Sequence, residues 1–194
     1  MSLKFDQALS PVLDLIWEKQ ERGRIPIVLI DGRAGAGKSL FAQQLSDAYF
    51  KIDNQAARVV AMDDLYPGWE GLASGSAYLY SNILKPLTQG KTSTWQVWNW
   101  NENKRGADDP VNGHREFSGG TALIVEGCGS ISRLSSELAD LTLWVEADLM
   151  VRKTRFHERD SGKFDGYFAT WSAQEDEFYE REKSRELAQL IIEN

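Results

Sequence analysis

The chain has little of what secreted and membrane proteins depend on. It contains one cysteine, Cys128, among 194 residues, which excludes an internal disulfide and leaves too few thiolates for a cysteine-based metal site. Its apolar runs have the length of strands, far below the roughly 20 residues that cross a bilayer. The first residues show no basic segment followed by an apolar core, as a signal peptide would. We therefore expect a cytoplasmic protein with no membrane partner.

Basic residues are also in deficit. The chain has 22 Lys and Arg against 29 Asp and Glu, a formal net charge of −7 and a pI of about 5.0. Surfaces that bind nucleic acids need clustered Lys and Arg, so we expect no nucleic-acid partner. A small phosphorylated ligand needs only a local positive pocket. The two histidines, His114 and His157, stand far apart and are typical of surface positions, not of a metal site.

The composition and length predict one domain over residues 1–194. Hydrophobic residues make up 42% and charged residues 26%, close to the averages of soluble globular proteins, and the length suits one buried core. Residues 1–23 contain a predicted helix, for which Ser10 is the expected cap and Pro11 the first-turn residue. The oligomeric state stays open, a homo-oligomer included.

Apolar runs and helical patterns alternate along the chain. Strands are predicted at residues 25–30, 58–62, 122–125 and 141–145, and helices at residues 39–50, 74–85, 132–139, 148–160 and 170–192. Such alternation is typical of a parallel α/β sheet with right-handed crossovers and helices on both faces. We therefore predict a doubly wound parallel sheet, interrupted at residues 91–120 by a tryptophan-rich and then polar stretch.

The strongest motif follows the first predicted strand, within a strand–loop–helix unit over residues 25–50. The pattern G-x-x-x-x-G-K-[ST] is met by Gly32, Arg33, Ala34, Gly35, Ala36, Gly37, Lys38 and Ser39. Glycines let such a loop turn so that its backbone N–H groups converge on phosphate oxygens, and the N-terminus of the following helix adds to the attraction. The motif predicts a P-loop that binds ATP, with Lys38 on the terminal phosphates and Ser39 on a magnesium ion. Asn103, Lys104 and Arg105 lack the aspartate that a guanine-reading motif needs, so GTP is not favoured.

Acidic residues follow two other predicted strands. Glu126 ends the run of residues 121–125, at the sheet edge where ligands of such folds collect, and is a candidate magnesium residue. Asp63 and Asp64 follow the second predicted strand. Adjacent side chains point to opposite sides of an extended backbone, so one carboxylate is expected to face the phosphates, where it could accept the proton of an acceptor hydroxyl. The alternatives are a solvated carboxylate at the strand end for Glu126 and an ordinary acidic turn for Asp63 and Asp64.

These motifs together resemble the uridine kinase and phosphoribulokinase group of P-loop kinases. The shared features are the P-loop, Asp63-Asp64-Leu65-Tyr66 after the second strand, Val125-Glu126-Gly127, and an arginine-bearing helix that leads into a lid near residues 155–167. The resemblance implies that Asp63 is the catalytic base, that Tyr66 contacts the substrate, and that Glu126 is associated with Mg²⁺. It also implies that the lid arginines Arg155 and Arg159, four residues apart on one helical face, close on the transferring phosphate.

The sequence departs from the uridine kinases where those enzymes recognise the nucleoside. Trp98-Asn99-Trp100 stands in place of their Tyr-Asp-Phe segment, and Asn103 stands about where their histidine would be. We interpret Trp95, Trp98 and Trp100 as one face of a strand, which either stacks on a flat substrate or packs in the core. Trp98 and Trp100 are therefore candidate substrate-binding residues.

The sequence as a whole favours a magnesium-dependent kinase that transfers the γ-phosphoryl group of ATP to a hydroxyl group of a nucleoside, sugar or vitamin-like molecule. Lys38, Arg155 and Arg159 would stabilise the charge on the phosphoryl group, and Asp63 would activate the acceptor. The alternative is an ATP-dependent switch that acts on a protein partner. Such a switch would keep the P-loop and Glu126 but would not need Asp63 or the two arginines.

Overall fold

The computed structural model describes residues 2–21, 23–106 and 113–194. Residues 107–112, which belong to the predicted irregular stretch, lie outside the described residues, as do residues 1 and 22 of the predicted N-terminal segment. The strands are β1 (Ser2–Lys4), β2 (Ile27–Asp31), β3 (Arg58–Ala61), β4 (Ser93–Gln96), β5 (Trp98–Asn99), β6 (Lys104–Arg105), β7 (His114–Phe117), β8 (Leu123–Glu126), β9 (Leu141–Glu146) and β10 (Leu190–Glu193).

The helices are α1 (Leu9–Glu21), α2 (Lys38–Asp53), α3 (Leu72–Leu79), α4 (Lys85–Thr88), α5 (Arg133–Ser136), α6 (Leu149–Arg159), α7 (Phe168–Glu182) and α8 (Ser184–Leu187). A π-helical turn, Tyr80–Leu84, joins α3 to α4, and 3₁₀ turns form at Phe5–Gln7, Met62–Asp64 and Asp165–Tyr167. Among the described residues, no helix has both the length and the apolar character needed to cross a membrane.

Six parallel strands form the central sheet, in the order β1-β10-β9-β2-β8-β3. Strand β2 lies in the interior of the sheet, and all five of its residues are buried, because helices cover both faces. One face packs Val28 and Ile30 against residues of α1 and α2. The other packs Leu29 against residues of α3 and α7. The doubly wound parallel α/β fold is confirmed.

The parallel arrangement decides where functional residues meet. The carboxyl ends of β2, β8 and β3 lie at one edge of the sheet, because the three strands are adjacent and run in the same direction. The loops that follow them carry the P-loop, Gly127 and Asp63. Ligands of open α/β sheets bind in the crevice at this edge.

The C-terminal part of the chain differs from the prediction. The helix predicted over residues 170–192 ends at Glu182, where Lys183 adopts a left-handed conformation with φ of 60°. Residues Leu190–Glu193 form β10, which pairs with β9 and with the unpredicted β1. The apolar run Leu190-Ile191-Ile192 suits a helix and a short strand equally well, and only its pairing partners, far away in the sequence, select the strand.

The N-terminal helix and the tryptophan segment also need correction. Helix α1 begins at Leu9, so Ser10 lies inside its first turn instead of capping it. Trp95 is buried in β4, which pairs with β7 in a separate antiparallel sheet. Trp98 lies in β5, and Trp100 follows β5 in a turn. The prediction that the three tryptophans share one face is wrong. Trp95 and Trp98 are an odd number of residues apart, and the strand is interrupted at Val97 between them.

The docking of β10 can be tested with a matched pair of isoleucines. Ile192 is fully buried against the α1 and α2 side of the sheet, whereas Ile52 on α2 is 56% exposed. We expect Ile192→Ala to lower the free energy of unfolding by about 2–5 kcal/mol, because it removes buried methyl groups and leaves a cavity. Ile52→Ala should change it by less than about 0.5 kcal/mol. Denaturant titration measures both, and equal effects would show that β10 does not pack into the core.

Candidate functional site

The P-loop connects β2 to α2, as the sequence predicted. It runs from Gly32 to Gly37, and α2 begins at Lys38, so the N-terminus of a 16-residue helix points at the loop. Gly35 lies directly against the first turn of α6. A Cβ atom at Gly35 would stand 2.3 Å from the carbonyl oxygen of Arg152, and the residue has a φ of 79°. Only glycine permits this close packing of the loop on α6.

Side chains from distant segments hold the outer side of the loop. Arg152 donates a hydrogen bond to the Ala34 carbonyl at 3.3 Å, and Arg155 donates one to the Ala36 carbonyl at 3.4 Å. The Asn194 side chain donates to the same Ala36 oxygen at 2.7 Å and accepts from Arg155 at 3.3 Å. Arg155, predicted to close on the transferring phosphate, is therefore bound to the backbone of the loop. Its contacts with Ala36 and Asn194 place the Arg155 guanidinium beside the P-loop.

Two fully buried carboxylates support the loop from beneath, and the sequence analysis singled out neither. Asp31 accepts hydrogen bonds from the N–H groups of Gly32 at 2.7 Å, Gly129 at 3.0 Å and Ile131 at 2.8 Å. It also accepts one from the Tyr179 hydroxyl at 2.8 Å. Burial raises the pKa of Asp31 to about 6, although these donors oppose the shift. Its place directly before Gly32 was the signal that could have revealed it.

Glu175 is the second of these carboxylates and lies on α7. Its Oε1 atom accepts the N–H of Ala34 at 2.6 Å, and its other oxygen lies 3.5 Å from a guanidinium nitrogen of Arg33. The thiol of Cys128 lies 3.3 Å from Oε1 and completes its contacts. Glu175 stands 141 residues after Ala34 in a helix rich in other acids, so no sequence signal separates it from its neighbours.

Lys38 is buried inside the loop. Its ammonium group donates to the Arg33 carbonyl at 3.0 Å and lies 3.5 Å from the Cys128 sulfur. Burial lowers the pKa of Lys38, but surrounding negative groups, Glu175 and Glu126 among them, outweigh it and hold the pKa above its ordinary value. The lysine is therefore a cation already positioned within the loop where phosphate oxygens are expected.

Ser39 and Glu126 lie together at the edge of the sheet. The Ser39 hydroxyl donates to a Glu126 carboxylate oxygen at 3.0 Å. Burial raises the pKa of Glu126, and the nearby charge of Lys38 opposes that shift. A hydroxyl and a carboxylate next to a phosphate loop are the oxygen donors that Mg²⁺ takes when phosphates and water complete its shell. In the described part of the chain, no group of three His, Cys, Asp or Glu forms a metal cage.

Gly127, at the end of β8, lies in close contact with the turn that carries Asp63. A Cβ atom at Gly127 would stand 2.4 Å from the Cβ atom of Met62, and Gly127 has a φ of 138°. A side chain at this position would push away the turn that begins at Met62. Glycine therefore keeps Asp63 beside the end of β8.

Asp63 and Asp64 lie in the 3₁₀ turn Met62–Asp64, not on extended backbone. The extended backbone on which the prediction of opposite side-chain directions was based is therefore wrong. The two carboxylates still have different neighbours, because Asp64 lies among the charges of Arg58 and Arg115, whereas Asp63 faces Arg159. Asp63 is the residue that pairs with the lid helix, with its Oδ2 atom 3.7 Å from a guanidinium nitrogen of Arg159. Arg159 also binds Asp160 at 2.8 Å. The structure thus brings Asp63 and Arg159 together across the cleft.

Tyr66 is buried, and its hydroxyl donates to the Cys128 carbonyl at 2.6 Å. Its ring packs edge-on against Trp171, with ring centres 4.8 Å apart. Because Cys128 in turn contacts Lys38, Tyr66 supports the residue behind the P-loop lysine. Tyr66 also lines the cleft, and the predicted contact with a substrate would involve that part of its side chain.

One cleft of about 720 Å³ unites these groups. It is lined by the P-loop, Lys38, Ser39 and Glu126, and by Asp63 together with a set of aromatic rings: Tyr66, Trp69, Trp100, Phe156, Phe164 and Trp171. Trp98 is not among the lining residues, because its ring packs near the guanidinium of Arg105. Trp69 was not predicted, since the sequence offers no pattern around it.

A comparison of two neighbouring acids tests the role of Glu175. Glu175→Ala removes the acceptor of the Ala34 N–H, so we expect the dissociation constant for Mg-ATP to rise by roughly 10–100-fold, the scale seen when supporting residues of a ligand site are lost. Asp176→Ala is the control, because Asp176 is exposed and pairs with the Arg33 guanidinium, at 2.7 Å, without contacting the Ala34 N–H. Calorimetry on variants shown to be folded by circular dichroism measures both. Equal affinities would mean that Glu175 does not position the loop.

No protein-family model matches the sequence, and no curated protein matches it. The fold does match solved structures. A candidate uridine kinase from Bacillus stearothermophilus is 16% identical with a TM-score of 0.61, over 95% of this chain and 98% of that one. A candidate fructose transport system kinase from Silicibacter is 16% identical with a TM-score of 0.58, over 96% and 98%. D-glycerate 3-kinase from Cryptococcus neoformans is 12% identical with a TM-score of 0.50, over 92% and 89%. The chain therefore has the α/β P-loop fold of the uridine kinase-like proteins.

Proposed function

We propose that this protein is a small-molecule kinase that transfers the γ-phosphoryl group of ATP to a hydroxyl group of its acceptor. The observation that carries the proposal is the pairing of Asp63 with Arg159 in the cleft that also holds Lys38. A nucleotide switch needs a phosphate loop, but it does not need a carboxylate and an arginine facing that loop. Three of the solved structures that share the fold are named as kinases, which agrees with the proposal.

The residues would divide the reaction between them. The loop amides and Lys38 would hold the phosphates. Ser39 and Glu126 would hold a magnesium ion, whose positive charge would offset the negative charge of the phosphate oxygens. The acceptor oxygen would form its bond to the γ-phosphorus as the bond to the bridging oxygen of ADP breaks. The hydroxyl proton would pass to Asp63. Arg159 would move from Asp63 to the transferring phosphoryl oxygens, where charge is spread in the transition state.

Positioning and electrostatics would supply most of the rate. Phosphoryl transfer needs no covalent intermediate on the protein, so groups that align the acceptor with the γ-phosphate and exclude water are sufficient. Phe164 and Tyr167 of the lid pack on Trp69, and this packing would shield the cleft from water when the acceptor is bound.

The direct test of the activity is ADP release from Mg-ATP with a panel of nucleosides, sugars and vitamins. ADP release that no alcohol accelerates would favour the switch instead.

The two adjacent aspartates provide a matched test of the base. Asp63→Asn should lower kcat by roughly 10²–10⁴-fold, the usual contribution of general base catalysis, while Mg-ATP still binds. Asp64→Asn should be much milder, because Asp63 is the residue aligned with Arg159. Both are measured with the acceptor found in the panel, at saturating Mg-ATP. A dead Asp64→Asn enzyme beside an active Asp63→Asn enzyme would assign the base to Asp64.

Arg159 and Arg185 provide a second matched pair. Both are exposed arginines in ion pairs, Arg159 with Asp63 and Asp160, and Arg185 with Glu146 outside the cleft. Arg159→Ala should lower kcat by roughly 10²–10³-fold, the effect of removing one donor to transition-state charge, and Arg185→Ala should not. Neither should change the free energy of unfolding by more than about 1 kcal/mol. Unchanged turnover in Arg159→Ala would mean that Arg159 is an ordinary charged residue on the solvated face of α6.

A further inference from the structure

A second cavity, of about 670 Å³, lies next to the P-loop and shares no lining residue with the cleft that holds Lys38. Its walls come from Arg33 of the loop, from the end of β9, from Arg152 of α6, and from the segment in which α7 ends and α8 begins. A volume of this size is ordinary for a small-molecule site. The proposed phosphoryl transfer leaves this cavity without a role.

Arg152 is the most deeply buried charged residue of the cavity lining, with 8% of its surface exposed. Its Nε atom donates to the Ala147 carbonyl at 3.2 Å, and its Nη1 atom donates to the Ala34 carbonyl at 3.3 Å. Its third nitrogen, Nη2, makes no hydrogen bond to the described residues, and no carboxylate among them forms an ion pair with the guanidinium. A buried cation that is held by carbonyl oxygens alone costs free energy, which an anion beside it would offset.

The acids of the cavity lining all lie on its solvent side. The exposed acids are Glu146, Asp176, Glu180 and Glu186. The first three are already paired with cations of the same lining, namely Arg185 at 2.9 Å, Arg33 at 2.7 Å and Lys183 at 2.7 Å. Negative charge is therefore concentrated at the mouth of the cavity and is largely neutralised there. The positive charge of Arg152 lies deeper and has no such partner.

A second donor of the lining also lacks an acceptor. Trp144 of β9 is 4% exposed and lines the cavity, and its buried indole N–H has no hydrogen-bond acceptor among the described residues. Buried donors without acceptors are uncommon in native structures and cost free energy. Trp144 and Arg152 belong to different elements, so the two observations are independent. Both groups are donors, which indicates a ligand with oxygen acceptors.

From these observations we infer that the cavity binds a small molecule that carries an oxyanion, a carboxylate or a phosphate group, with the oxyanion at the guanidinium of Arg152. Guanidinium N–H groups form strong charge-assisted hydrogen bonds to such oxyanions. A neutral ligand would leave the charge of Arg152 without a counter-ion, and a cation would add to that charge. The site is separate from the cleft and does not depend on the proposed function. Because Arg152 also holds the Ala34 carbonyl, the ligand is bound one side chain away from the phosphate loop.

Binding is tested with the nucleotide site occupied, since anions also bind at an empty phosphate loop. Protein labelled with ¹⁵N in tryptophan, with magnesium and a non-hydrolysable ATP analogue in excess, is titrated with sodium acetate in one arm and with inorganic phosphate in another. Sodium chloride keeps the ionic strength constant. The NMR signal of the Trp144 indole N–H, assigned by its loss in Trp144→Phe, reports on the cavity.

We expect the Trp144 signal to shift and to reach saturation in at least one arm. Saturation with acetate alone identifies the oxyanion as a carboxylate, and saturation with phosphate alone identifies it as a phosphate group. Arg152→Gln keeps a hydrogen-bond donor but removes the charge, so it should raise the half-saturating concentration by roughly tenfold or more, the scale of one hydrogen bond to a charged group. No saturable shift in either arm overturns the inference.

Variants of the exposed pair Arg185–Glu146 give a second test that leaves the phosphate loop intact. Arg185→Ala leaves Glu146 without its partner and should raise the half-saturating concentration by about two- to fivefold, the scale of one exposed charge. Glu146→Gln releases Arg185 and should lower that concentration by a similar factor. Glu177→Gln is the control, because Glu177 pairs with Arg181 at 3.7 Å and does not line the cavity. If both pair variants bind the anion as the control does, the anion binds elsewhere and the inference fails.

Discussion

The hydrogen bond from the Ala34 N–H to the buried carboxylate of Glu175 is the contact on which the rest of the site depends. Burying a carboxylate away from water costs free energy unless the carboxylate is paired and hydrogen-bonded. The contacts of Glu175 with the Ala34 amide, Arg33 and Cys128 offset that free energy. The P-loop and α7 are therefore fixed relative to each other. Since α7 follows the lid directly, the segment that covers the cleft begins and ends on elements that hold the phosphate loop.

The parallel sheet supplies the rest of the geometry. Because β2, β8 and β3 are adjacent and run in the same direction, a lysine, a glutamate and an aspartate from three distant segments meet at one edge without any long loop. The aromatic lining of the cleft is built differently, from a turn, a short hairpin, the lid and a helix. The sheet thus positions the phosphate loop and the acids beside it, whereas the segments between its strands position the aromatic rings.

The sequence predicted well those features that depend on local patterns. The P-loop, its flanking strand and helix, and the acid that ends β8 follow from spacing and from buried apolar runs, and the fold that they imply is confirmed. Features that depend on pairing between distant segments were missed. Strand β10 was assigned to a helix, Glu175 looked like any surface acid of α7, and the side chain of Trp69 had no pattern around it. A hydrogen bond between residues 141 positions apart produces no pattern in the sequence around either residue.

The contact between Asn194 and Ala36 also orders events in time. It spans 158 residues, and it exists only once β10 has paired with β9 beside the loop. During synthesis, β2 and α2 emerge early, but at 5–20 residues per second the strand that braces their loop follows on the order of 10 s later. A nascent chain therefore carries a phosphate loop that is present in sequence but unsupported in structure. The loop should therefore gain its full support only after β10 has paired with β9.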